Sequence, residues 1–194
     1  MSVVPSPPSA ANRATHAGDE FVFASAVEGL YLRALKGRIT PELTDALRGL
    51  GLDIDHVLPA YALETWEHSL RVTCAQLFPD KSLEEAMAEL GRMLIAGYQQ
   101  TAIGKAIFPL MRILGPARVL ARMSRNFQSG NNYTDTRVTQ AAPNEALLWF
   151  NRVIQPAFYR GILEAGLTAA GAKELTVELG EREGEGFTFR IRWT

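Results

Sequence analysis

Residues 130–151 read GNNYTDTRVTQAAPNEALLWFN, and within this stretch the apolar spacing changes from a helical period to an alternating one. The threonine-rich run 133–140 predicts a polar strand. Residues 146–151 predict its apolar partner, across a turn at Ala142-Pro143-Asn144. Downstream, Pro156 opens a helix over 156–170, with Phe158, Ile162, Leu163 and Leu167 on one side and Gly171 as its stop. Leu175, Val177 and Leu179, and then Phe187, Phe189, Ile191 and Trp193, alternate strictly with other residues. The turn Glu183-Gly184-Glu185-Gly186 joins these two runs into a hairpin.

Upstream of residue 130 the pattern is helical. Phe21-Val22-Phe23 is a short extended start, and Ser25 caps a helix reaching Leu35 with Gly37 beyond it. Thr40-Pro41-Glu42 supplies an N-cap, a first-turn proline and an acid, and Leu43, Leu47 and Leu50 follow on one face until Gly51. Residues 61–77 carry Leu63, Trp66, Leu70, Cys74 and Leu77 at helical spacing. Ser82 and Glu85 form a capping box. It opens a long, largely apolar helix over 83–107, punctuated by Gly91, Gly97 and Gly104, with Pro109 bending or breaking the chain after it. Gly115-Pro116 opens one more helix, 117–127. The fold class is therefore α+β: about five N-terminal helices, then a β-β-α-β-β unit forming a four-stranded antiparallel sheet covered on one face. Residues 1–18, rich in Pro, Ser and Ala, are expected to be a disordered N-terminal tail, and 19–194 a single α+β domain.

The chain has 194 residues, with 20 Lys+Arg against 21 Asp+Glu and a net charge of −1. That balance gives no global field for coating nucleic acid. A chain of this length buries about 70% of its unfolded surface, so it needs no covalent staples. One cysteine and three histidines (His16, His56, His68) leave no disulfide, cysteine-rich zinc site or histidine-rich metal site. No secretory signal and no run of about 20 apolar residues is present, so a bacterial cytoplasmic location without a membrane span is expected. No Ser/His/Asp set, metal-ligand pair or paired carboxylates stand at catalytic spacing, so no catalytic residue, metal or cofactor is assigned. Cys74 lies on an apolar stripe and reads as a small buried hydrophobe, with a lipid-acylated or reactive thiol as the alternative.

Three polar features compete with bland readings. Tyr98, Gln99, Gln100 and Thr101 interrupt the central helix, and such groups either bond neighbouring loops or line a pocket. Gly130-Asn131-Asn132 suits a tight turn, yet Asn126, Asn132, Tyr133 and Arg137 also offer hydrogen bonds fit for a carboxylate or phosphate. Arg118, Arg122 and Arg125 fall at i, i+4, i+7, usually a solvated face and otherwise a receptor for an acidic lipid head group, nucleotide or acidic partner. The ligand-binding candidates are Tyr98, Thr101, Arg125, Asn126, Asn132, Tyr133 and Arg137.

Thr40-Pro41-Glu42-Leu43, Trp66, Gly97-Tyr98, Leu114-Gly115-Pro116, Arg125-Asn126-Phe127 with Gly130-Asn131-Asn132-Tyr133-Thr134, Trp149-Phe150-Asn151 and Phe158-Tyr159-Arg160-Gly161 together resemble a myxobacterial paralogous family of unknown function. The resemblance runs from about Phe21 to the C-terminus. The order of elements is also similar to that of haem–nitric-oxide-binding, 4-vinyl-reductase-like and TRAPP-type ligand-binding domains. The haem branch takes its axial histidine from the helix before the sheet, and residues 105–132 hold none. Its Tyr-x-Ser-x-Arg signature is met at Tyr133 and Arg137 but not at the serine, and the cysteine cluster of the vinyl-reductase-like branch is missing. The resemblance implies a non-catalytic sensor or regulatory domain that binds a small molecule between the helical half and the sheet, without haem. The alternative is a protein-interaction module that self-associates as a homodimer or docks an acidic partner.

Overall fold

The computed structural model describes residues 19–194, so the expected tail over 1–18 lies outside the described residues. Phe21–Phe23 forms β1, and the chain turns directly into α1 (Ala24–Val27). Ser25 is not its cap: the helix starts one residue earlier, and the Ser25 hydroxyl donates to the Ser129 carbonyl at 2.9 Å. From Glu28 to Ala34 the winding widens into a π-helix, closed by Leu35 N–H bonding the Leu30 carbonyl five residues back at 2.9 Å. Thr40 caps α2 (Pro41–Gly49) as expected, accepting from Leu43 N–H at 3.2 Å. Ala60–Ala62 then forms β2, paired antiparallel with β1, and α3 (Leu63–Leu77) starts two residues later than expected. A three-residue strand is too short to show a period.

The Ser82–Glu85 capping box opens α4 (Leu83–Tyr98), but the expected long helix is two helices. Thr101 ends the first and starts the second: its hydroxyl donates to the Tyr98 carbonyl at 2.8 Å and accepts from Gly104 N–H at 3.0 Å, capping α5 (Ala102–Leu114). Gly104 is pressed against the Tyr98 carbonyl at this corner, where a side chain has no room. Pro109 does not break α5. Proline leaves the carbonyl four residues back, Lys105, without a donor, and because both residues are exposed water can serve it. The expected helix 117–127 is likewise two, α6 (Pro116–Leu120) and α7 (Met123–Phe127), interrupted at Arg122 (φ −115°, ψ 17°). Arg118, Arg122 and Arg125 therefore do not share one continuous helical stripe, though all are exposed. The helical front is thus finer than the expected five elements.

The main sheet follows the expected topology with shifted strand ends. It comprises β3 (Thr136–Ala142), β4 (Glu145–Phe150), β5 (Thr176–Glu183) and β6 (Gly186–Arg192), antiparallel in the order β3-β4-β6-β5. The first strand starts at Thr136 rather than 133 because residues 131–135 are held as a turn. Asn131 Oδ1 accepts from Tyr133 N–H (3.2 Å) and Thr134 N–H (2.9 Å), and Asn151 Oδ1 accepts from Asp135 N–H (2.7 Å). Between β4 and β5 runs α8 (Pro156–Ala169). Ala146, Leu148, Phe150, Phe189 and Ile191 bury the inner face of the sheet, and α8 meets it through the edge-on contact of Tyr159 with Phe150 at 5.3 Å. On the other side α8 crosses α4, where Gly91 abuts the Phe158 carbonyl and Gly161 the Ala88 carbonyl. The architecture is α+β, as expected.

Candidate ligand cavity

A cavity of about 130 Å³ opens among α4, α5, α7 and α8. Helical spacing builds its walls: Leu94 and Tyr98 on α4, Ile107 and Met111 on α5, Met123 and Phe127 on α7, and Phe158 and Ile162 on α8 each stand four residues apart, on one face. Trp66 from α3 closes one end, in edge-on contact with Phe158 at 6.4 Å. α8 separates this space from the four-stranded sheet, so the cavity lies within the helical layer and not against the sheet.

One side is polar, and its groups bond one another. Tyr98 donates its hydroxyl to the Ser129 carbonyl (3.2 Å) and hydroxyl (3.0 Å), Ser129 donates to the Asn126 carbonyl (2.6 Å), and Asn126 Nδ2 donates to the Val119 carbonyl (3.4 Å). The Tyr133 and Tyr159 side chains also stand at the wall. Burial pushes both phenols well above the ordinary tyrosine value, and for Tyr133 the neighbouring Tyr159 adds to the rise. Both remain neutral. No lysine, arginine, aspartate or glutamate lies on the wall. The nearby Arg152 is paired with Glu20 (2.8 Å) and Glu185 (2.6 Å). The arrangement can hold a neutral apolar molecule with a single polar edge.

Of the residues expected to bind a ligand, Tyr98, Asn126 and Tyr133 stand on this wall. The other four lie elsewhere. Thr101 is the α5 cap; Arg125 is exposed; Asn132 accepts from Phe21 N–H (2.7 Å) and donates to the Asp19 carbonyl (3.0 Å). Arg137 stacks on Trp149, 4.3 Å from the ring centre, on the outer face of the sheet. Cys74 is buried, and burial pushes its thiol up to about 11. The wall residues that the sequence did not single out as ligand candidates include the apolar ones, Ser129, Tyr159 and Gly166. An i, i+4 apolar pair that lines a cavity reads the same as one that packs a core. Gly166 differs from the other helical glycines of α4 and α8. A side chain at Gly91, Gly97 or Gly161 would meet backbone of a neighbouring element, whereas one at Gly166 meets nothing within 4 Å.

The family described as "Protein of unknown function (DUF2378)" matches residues 20–194, so the chain belongs to that family. No curated protein matches it. Among solved structures it is similar in fold to haem–nitric-oxide-binding (H-NOX) domains. One is an oxygen-binding H-NOX domain related to soluble guanylate cyclases (17% identity, TM-score 0.62, 89% of this chain and 95% of that one). Another is the F78L variant of Tt H-NOX (17%, TM-score 0.61, 88% and 94%). A third is an unliganded Fe(II) H-NOX mutant from K. algicida (14%, TM-score 0.59, 88% and 95%).

The cavity residues do not fit the haem that this fold holds elsewhere. The histidines among the described residues, His56 and His68, are exposed and off the wall, and no cysteine lines it. No lysine or arginine lies on the wall to pair with a propionate. Among the described residues no cluster of His, Cys, Asp or Glu is set to hold a metal ion, and no helix is long and apolar enough to cross a membrane.

Proposed function

We propose that this member of the DUF2378 family is a non-catalytic sensor or regulatory domain that binds a small, neutral, apolar molecule, without haem, in the cavity bounded by α4, α5, α7 and α8. The observation that carries this reading is Gly166. A glycine inside a helix costs about 1 kcal/mol against alanine. Gly91, Gly97 and Gly161 offset that cost by letting backbones approach closely. Gly166 lines the cavity and touches no such neighbour, so its missing side chain leaves the cavity wall open at that turn of α8.

The wall sets the ligand class. A dry cavity of about 150 Å³ takes benzene in another protein, so this one suits a molecule of six to seven carbons. An unpaired anion there would have no cation to meet. The test is thermal melting with toluene and, separately, with benzoate. At about ten times its dissociation constant toluene adds about 1.4 kcal/mol and raises the midpoint by roughly 3–6 °C, while benzoate does not. Equal shifts by the two ligands, or none by either, would overturn the reading.

A further inference from the structure

The outer side of α5 carries an inference that does not rest on the cavity. Ile103, Ala106, Leu110 and Ile113 recur at i, i+3, i+7 and i+10, which places them on one exposed stripe that runs beside the cavity-lining row of Ile107 and Met111. They are exposed, Ile103 by 41%, Leu110 by 52% and Ile113 by 79%. Lys105 and Arg112, also exposed, flank the stripe. The exposed residues of α5 are Ala, Ile, Leu, Pro, Lys and Arg, with no uncharged polar side chain among them.

Charge tells what covers this stripe. Residues 90–134 contain no aspartate or glutamate. Lys105, Arg112, Arg118, Arg122 and Arg125 are all exposed, and among the described residues none forms an ion pair, whereas Arg33, Arg48, Arg71, Arg92, Arg152, Arg160, Arg190 and Arg192 all do. An exposed aliphatic stripe with unpaired cations and no acids is the pattern of a helix lying in the plane of an anionic bilayer surface. A protein interface would carry a rim able to both donate and accept hydrogen bonds, and this helix offers only donors there. We propose that α5 docks this chain on an anionic membrane surface, its Ile103, Leu110 and Ile113 entering the acyl boundary and its cations meeting lipid phosphates.

The test is co-sedimentation of the full chain with vesicles of about 30% phosphatidylserine in phosphatidylcholine and with vesicles of phosphatidylcholine alone. The protein should bind the anionic vesicles at least about tenfold more tightly and release them at high salt. Ile113→Asp should weaken that binding about tenfold or more without changing the melting midpoint, and Lys105→Ala with Arg112→Ala should weaken it on anionic vesicles. Failure of the folded protein to bind, or equal binding to both vesicles, would overturn the proposal. So would salt-sensitive binding that Ile113→Asp leaves intact, which points to an acidic protein surface. A homodimer that Ile113→Asp dissociates, with no vesicle binding, would assign the stripe to a second copy and also overturn it.

Discussion

Gly97 on α4 lies directly against the carbonyl oxygen of Gly29 in the π-helix, with the backbone and side chain of Ala34 beside it, so no side chain fits at position 97. Gly29 in turn rests on the backbone of Tyr98, where an added Cβ would come within 3.1 Å of Tyr98 Cα. This crossing of two backbones sets Tyr98 at the polar side of the cavity, its hydroxyl on Ser129.

Gly97→Ala therefore should destabilise the fold by about 2 kcal/mol or more, because rigid backbone must move to admit one methyl group. Gly166→Ala should do the reverse and stabilise by roughly 0.5–1 kcal/mol, since the methyl enters open space and the helix gains propensity. Urea denaturation of the two variants checks the pair. Changes of the same sign would contradict the difference drawn between these glycines.

Asn131 and Asn132 are neighbours with unequal roles. Asn131 is 7% exposed and accepts from two backbone N–H groups, so Asn131→Ala should cost about 2 kcal/mol. Asn132 is exposed and ties only the β1 end, so Asn132→Ala should cost about 1 kcal/mol or less. Equal losses in a urea melt would show that the turn does not depend on the buried amide.

Stability should fall at alkaline pH. Burial pushes the Tyr31 hydroxyl from its ordinary 10.0 up to about 12 and the Cys74 thiol from 9.0 up to about 11. The folded chain keeps protons that the unfolded chain releases, so this contribution is whole below about pH 9 and is lost between about pH 9 and 12. Tyr31→Phe removes the hydrogen bond with Thr73 (3.0 Å), at about 1 kcal/mol, while Thr73 keeps its bond to the Ser69 carbonyl. It should also flatten the alkaline decline. A variant whose unfolding midpoint falls as steeply with pH as the parent's would refute that assignment.

The sheet, the capping box at Ser82 and Glu85 and the proline-led helices α2 and α8 were legible because each carries its own local signal. The break at Thr101 was not. A threonine inside an apolar run resembles an interrupted helix until its hydroxyl is seen to cap the next one. Three of the expected ligand residues reached the cavity because Tyr98, Asn126 and Tyr133 stand near the junction of helix and sheet. Arg137 did not, because one step of strand alternation decides the face, and its partner Trp149 points away from the core. Gly166 stayed hidden because only the space around a glycine separates close packing from a vacancy.

The central claim is tested most directly by calorimetric titration of toluene into the protein and into Gly166→Leu. The cavity account predicts one-to-one binding by the parent chain and none by the variant, whose leucine occupies the space while its melting midpoint is no lower than the parent's. Binding of toluene to both proteins alike, or to neither, would contradict it.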